Sequence, residues 1–129
     1  MSTDPDARRA VLRAVVEAYF NGLHAHDVAA VPWAGEVELH TPISPGGPAE
    51  PVIGSAQVRA FFDGIGPAIG AVEVRTIYFS DDLRSVAAHA TIDMTQPPCQ
   101  LSVVDRFVVD DDGRIVEQEN HFDPRPAMP

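Results

Sequence analysis

The sequence predicts an α+β domain in which N-terminal helices pack on one face of a curved antiparallel sheet. Three observations carry this. Apolar residues recur at helical spacing through the first 26 positions, and they alternate at period two just before residue 41. From Gly70 onward, four segments of about ten residues read as strands with turn chemistry between them. A chain of 129 residues fits a single domain over 1–129.

The stretch "STDPDARRAVLRAVVEAYFNGLHAHD" reads as one long helix, with Asp4 as N-cap and Pro5 as first helical residue. Val11, Leu12, Val15, Val16, Tyr19, Phe20 and Leu23 form its apolar stripe. Asp27 is then expected to cap a short second helix, "VAAVPWA", limited by Pro32 and Gly35. "EVELHTP" alternates as a half-buried strand with Val37, Leu39 and Thr41 on one face, and Pro42 ends it. A Pro/Gly-rich loop follows. Ser55 is expected to cap a third helix, "AQVRAFFDGIG", with Val58, Phe61, Phe62 and Ile65 turned inward.

The strands are "AVEVRTIYFS", "SVAAHATIDMT", "CQLSVVDRFVVD" and "GRIVEQENHFD". Asp112-Gly113 suits a primed two-residue turn. "DPRPAMP" lacks the N–H donors to continue a sheet interior. Three helices over one face of a strongly curved sheet would enclose a conical cavity.

A net charge of −10 with no basic stripe argues against nucleic acid and anionic membrane as partners. No apolar run approaches the length of a membrane span, and the N-terminus lacks a signal-peptide pattern, so a cytoplasmic protein is expected. Cys99, the single cysteine, reads as a small hydrophobe. No histidine pair has a convincing ligand spacing apart from His24/His26 beside a turn, so no metal and no cofactor are expected.

Four stretches carry a family likeness: "VVEAYFNGLHAHDVAAV", "VELHTP", "GSAQVRAFF" and "VVDRFVVDDDGRI". Together with the element order, the chain resembles the nuclear transport factor two-like superfamily. That group includes ketosteroid isomerases, limonene-type epoxide hydrolases, scytalone dehydratases and SnoaL-like polyketide cyclases. The resemblance implies a cystatin-like, ketosteroid isomerase-like α+β barrel. Tyr19 matches the tyrosine, and Asp105 the protonated aspartic acid, of an isomerase oxyanion hole. Thr41 stands where that family keeps its general base. The resemblance to epoxide hydrolases is looser: one carboxylate falls at Asn120, and Thr91-Ile92-Asp93 only partly matches their strand motif. Asn120 also resembles the strand asparagine of scytalone dehydratases, which pairs with histidines, and His89 is a candidate for one of these.

Period two separates the adjacent charges of "VVDRF". Asp105 shares a face with Leu101, Val103 and Phe107 toward the cavity, and Arg106 points the other way, to an interface or a neighbouring acid. Burial would raise the Asp105 pKa, as a hydrogen-bond donor to a carbonyl or enolate requires. Asn120 shares its face with Gln118 and Phe122, whereas His40 and His121 turn outward. His89 and Asp93 would supply a base only if the polar face of "AAHATIDM" pointed inward.

The expected catalytic set is therefore Tyr19, Asp105 and Asn120. Trp33, Leu39, Thr41, Phe61 and Phe62 are expected to line the pocket, with Val103, Phe107, Gln118 and Phe122. The expected function is cofactor-independent acid/base chemistry (isomerase, dehydratase, cyclase or epoxide hydrolase) on a hydrophobic small molecule. The alternative is a non-catalytic small-molecule-binding or accessory protein. A homodimer through the outer sheet face is the expected assembly.

Overall fold

In the computed structural model, which describes residues 4–128, the first segment forms helix α1 (Pro5–Ala25). The Asp4 carboxylate accepts from the Asp6 N–H at 2.9 Å, and Pro5 occupies the first turn. Leu12, Val15, Val16, Tyr19, Phe20 and Leu23 are buried; Val11, at the margin of the stripe, is exposed. Arg8 ties the start of the helix to two strand ends. Its guanidinium donates to the carbonyls of Leu83 (2.8 Å), Asp110 (3.0 Å) and Val109 (2.7 Å). At the other end, His24 and His26 lie against the Gly70 and Ile69 carbonyls at 3.4 and 2.7 Å, fastening the helix C-terminus to the sheet.

The short second helix does not form. The Asp27 carboxylate accepts from the Ala29 N–H, two residues on, which makes a local turn rather than a helix cap. So few residues give too few hydrogen bonds to nucleate a helix. Strand pairing claims the segment's end instead: Ile115 N–H donates to the Pro32 carbonyl at 2.7 Å, and β1 (Trp33–His40) begins at the next residue. Two helices therefore cover the sheet, not three.

Gly22 lets this turn approach α1. A Cβ there would lie 2.9 Å from the Asp27 carbonyl oxygen and 3.3 Å from Val31 Cγ2. Gly22→Ala is expected to cost about 1–3 kcal/mol despite alanine's better helix propensity. Urea unfolding measures it, and a variant as stable as the parent would refute the close approach.

After β1 come β2 (Val52–Ile53), α2 (Ser55–Ile65) and a 3-10 turn at Gly66–Ala68. The N-cap of α2 is Gly54 at φ 94°, and Ser55 is the first helical residue rather than the cap. Then follow β3 (Ile69–Phe79), β4 (Ser85–Thr95), β5 (Pro98–Val109), β6 (Ile115–His121) and a final 3-10 turn at Arg125–Ala127.

The sheet order is β2-β1-β6-β5-β4-β3. All neighbours are antiparallel except β1 and β6, which run parallel, so the sheet is mixed rather than wholly antiparallel. A parallel pair requires a long crossover, and here the rest of the sheet and α2 supply it. At the β5–β6 turn only Gly113 has positive φ, +80°. With Asp112-Gly113 as the central pair, a primed turn of either type needs positive φ at Asp112, so the expected turn type is not formed.

Among the described residues, no helix is long and apolar enough to cross a membrane. No group of three or more His, Cys, Asp or Glu among them is placed to hold a metal ion.

Candidate functional site

The two helices and the concave sheet face enclose a cavity of about 320 Å³. Its depth follows from the strand register. Asp105 on β5 pairs directly with Asn120 on β6, and Phe107 pairs with Gln118. Leu39 on β1 also pairs with Gln118. The inward residues therefore form rows: Asp105 and Asn120 meet the cavity, while Leu39, Gln118 and Phe107 lie one row deeper. Opposite Asp105 on β4 stands Ala88, and opposite Val103 stands Ala90. These small side chains leave room that larger ones would fill.

All three expected catalytic residues, Tyr19, Asp105 and Asn120, line the cavity, and so do Thr41, Phe61, Phe62, Val103 and Phe122. Trp33, Leu39, Phe107 and Gln118 do not. They are buried beneath the floor, because alternation assigns a residue to a face but not to a depth along the cone. Trp33 stacks on Phe62, with ring centroids 5.4 Å apart and planes 3° apart, and the guanidinium carbon of Arg59, on α2, lies 5.2 Å from its ring centroid. Its indole Nε1–H donates to Gln118 Oε1 at 2.9 Å, and Gln118 Nε2 donates to Asn120 Oδ1 at 3.1 Å.

The two conditional bases lie outside. The buried positions of β4 are Val86, Ala88, Ala90 and Ile92, so His89 and Asp93 occupy the opposite face. There His89 Nε2 lies 2.9 Å from Ser102 Oγ, and Asp93 accepts from Gln100 Nε2 at 2.9 Å. Arg106 also faces outward, pairing with Glu117 and Glu119 at 3.3 and 3.4 Å. His121 lies 3.0 Å from Glu119 on that surface.

Asp105 is 2% exposed and Tyr19 is 2% exposed. Burial raises the Asp105 carboxyl from 3.8 to about 8, so it is protonated at neutral pH. Burial first, and the neighbouring Asp105 charge second, push the Tyr19 phenol well above its ordinary value; a hydrogen bond with Gln118 works against them. Among the lining residues Asp105 is the one carboxyl, and no histidine is present. The chemistry this allows is donation of hydrogen bonds and of one proton to an oxygen held among apolar walls.

Part of the lining escapes sequence reasoning. Ile92 and Met94 come in once the β4 register is known, and Ile43 enters from the loop after β1. Pro124, Ala127 and Met128 reach the mouth from the tail, where the final 3-10 turn folds back over β5. Nothing in "DPRPAMP" signals that return, because prolines mark only where regular structure ends.

Solved structures share this architecture at low identity. A putative isomerase from Bacillus subtilis superposes with a TM-score of 0.78 at 18% identity, covering 92% of this chain and 90% of that one. A steroid delta-isomerase from Pseudomonas aeruginosa gives 0.73 at 20% identity, with coverage of 92% and 83%. A cystatin-like-fold protein of unknown function from Methylobium petroleophilum gives 0.75 at 18%, with coverage of 94% and 78%. At such identities the likeness is one of fold. No curated protein matches the chain. The family model of the SnoaL-like domain matches residues 16–118, most of the chain, and the chain therefore belongs to the SnoaL-like domain family.

Proposed function

We propose that this protein is a small cofactor-independent enzyme that moves protons on a hydrophobic, oxygen-bearing small molecule, with Asp105 as its one proton-transfer group. The observation that carries this is a buried carboxyl, raised to about 8, that shares a mainly apolar cavity with a phenol and an amide. Protonated Asp105 gives its proton to a substrate oxygen, while Tyr19 and Asn120 hold that oxygen with hydrogen bonds. The resulting carboxylate then takes a proton from an adjacent carbon, which regenerates the acid and leaves a tautomer. Where the protonated oxygen is a hydroxyl, loss of water completes an elimination. One group working in both directions removes the need for a base at Thr41.

The test is deuterium incorporation next to the carbonyl of 1-tetralone, a two-ring ketone, followed by NMR in heavy water. Exchange should be fastest while Asp105 is protonated and fall about tenfold per pH unit once the pH passes about 8. A rate that climbs through that range would overturn the assignment of Asp105 as the acid.

A second reading, a protein that binds such a molecule without transforming it, is favoured by the absence of histidine and of a second carboxyl among the lining residues. Binding of the ketone with no exchange would decide for it. The outer sheet face, where Val104 and Val116 are exposed beside the Arg106–Glu117–Glu119 group, is the surface we propose for pairing with a second copy.

A further inference from the structure

We propose that Gln118 is a positioning residue that sets the hydrogen-bond polarity of the cavity, holding Asn120 and Tyr19 as donors toward the ligand. The proposal rests on the reading that the cavity takes a ligand oxygen, and it deepens that reading: the ligand group is an acceptor, such as a carbonyl.

Trp33 sets the direction of the first bond. An indole N–H donates and cannot accept. The ring stacks on Phe62 and meets the Arg59 guanidinium, contacts that restrict where its N–H points. Gln118 must therefore turn its oxygen to Trp33, at 2.9 Å, and its nitrogen away. That nitrogen meets Asn120 Oδ1 at 3.1 Å. Asn120 thus has Oδ1 turned to the layer below, which swings Nδ2, a donor, toward the cavity. The Gln118 amide also lies near enough to the Tyr19 phenol to favour its ionised form against the burial. An amide that donates to the phenolic oxygen leaves the hydroxyl proton free to be given to a ligand.

The chain of dependence is Trp33, Gln118, then Asn120 and Tyr19, and each step follows from the donor or acceptor nature of the atom before it. Gln118 is 0% exposed and does not line the cavity, so it acts entirely through its neighbours. Burial makes this binding. In a water-filled site either amide could turn over at little cost, whereas here a reversed amide leaves a buried N–H facing an N–H. Size narrows the ligand further. A dry cavity of about 150 Å³ holds one benzene ring, so 320 Å³ suits a ligand of roughly a dozen heavy atoms. One- and two-ring ketones fit, and a four-ring skeleton would extend through the mouth.

Two measurements test the proposal. The first needs no ligand: in the ¹⁵N-labelled protein, Trp33→Phe removes the indole donor and keeps an aromatic ring of smaller volume against Phe62. The Asn120 Nδ2 resonances should move, although the altered atom reaches Asn120 only through Gln118. Unmoved resonances in a folded variant overturn the proposal. The second uses ¹³C-carbonyl 1-tetralone. Its infrared carbonyl stretch should fall on binding to the native protein, and the absence of any fall overturns the donor assignment.

Gln118→Met should remove at least half of that downshift and weaken binding about tenfold, the loss expected for one to two hydrogen bonds. Gln118→Glu should keep the downshift at low pH, where a protonated carboxyl still accepts from Trp33 and donates to Asn120, and lose it as that carboxyl ionises. Native-like shift and affinity in a folded Gln118→Met variant would refute the relay. The two proposals fail separately. A native protein that binds with a downshifted carbonyl but exchanges no deuterium retains the relay and loses the catalysis. Full exchange in Gln118→Met does the reverse.

Discussion

Asp105→Asn is expected to abolish proton exchange and, at neutral pH, to make the protein more stable. Loss of the one proton-transfer group in the cavity should lower the exchange rate by about 10²–10⁴-fold. Stability moves the other way because of where the carboxyl titrates. Its folded value is about 8 against an ordinary 3.8. Below the ordinary value the group is protonated whether the chain is folded or not, and its ionisation costs nothing. As the pH rises toward 8 the unfolded chain ionises while the folded one must keep its proton. The contribution of Asp105 to stability then falls by about 1.4 kcal/mol per pH unit.

At pH 7 the accumulated penalty is on the order of 4 kcal/mol, from about three units of difference. An asparagine keeps the shape and does not titrate. The stability difference between variant and parent, measured by urea unfolding, should therefore widen steadily from pH 5 to pH 8 and then level off. A difference that stays flat across that range would mean an ordinary carboxyl and would remove the basis for Asp105 as an acid at neutral pH. Stability sacrificed at one buried group is what a functional site on an otherwise well-packed sheet looks like.

Phe107→Ala should be the most destabilising of the core truncations near the site, by about 3–5 kcal/mol. Phe107 is fully buried, lies one row below Asp105, and meets the Tyr19 ring edge-on with centroids 5.2 Å apart. Tyr19 is also braced by Phe20 at 4.8 Å and Phe62 at 5.4 Å. Removing one of these supports leaves a void that β5 and β6, hydrogen-bonded on both sides, cannot close. For a chain of this size the melting temperature should fall by roughly 10–20 °C. Phe107→Leu, which restores most of the volume, should recover most of it. Exchange in Phe107→Ala should also fall, because the phenol loses its seat, although Phe107 does not touch the cavity. A loss of stability under about 1 kcal/mol would refute the packing role.

Much of this architecture is legible in the chain itself. Helix α1 is written in a 3.6-residue stripe with Asp4 and Pro5 at its start, and each of the four long strands matches its alternating segment closely. The split of Asp105 and Arg106 to opposite faces follows from period two. Other features depend on partners far away in sequence. "VAAVPWA" carries helix-compatible residues, yet Pro32 and Trp33 are drawn into pairing with Ile115, and no local pattern names that partner. The parallel pairing of β1 with β6 is hidden for the same reason. Leu39, Phe107 and Gln118 could be assigned to the inward face but not to the row beneath the floor.

By itself, then, the sequence determined the two helices, the long strands and the alternation that splits each strand into two faces, because backbone sterics and alternation act between neighbours in the chain. It was enough to bring Tyr19, Asp105 and Asn120 to one cavity. Tertiary structure alone decided how deep each inward residue lies, that His89 and Asp93 fall outside, and that the tail joins the cavity lining. It also decided which way the buried amides of Gln118 and Asn120 turn. Those outcomes rest on strand register and on an indole N–H from β1 meeting an amide from β6, contacts between residues 85 positions apart.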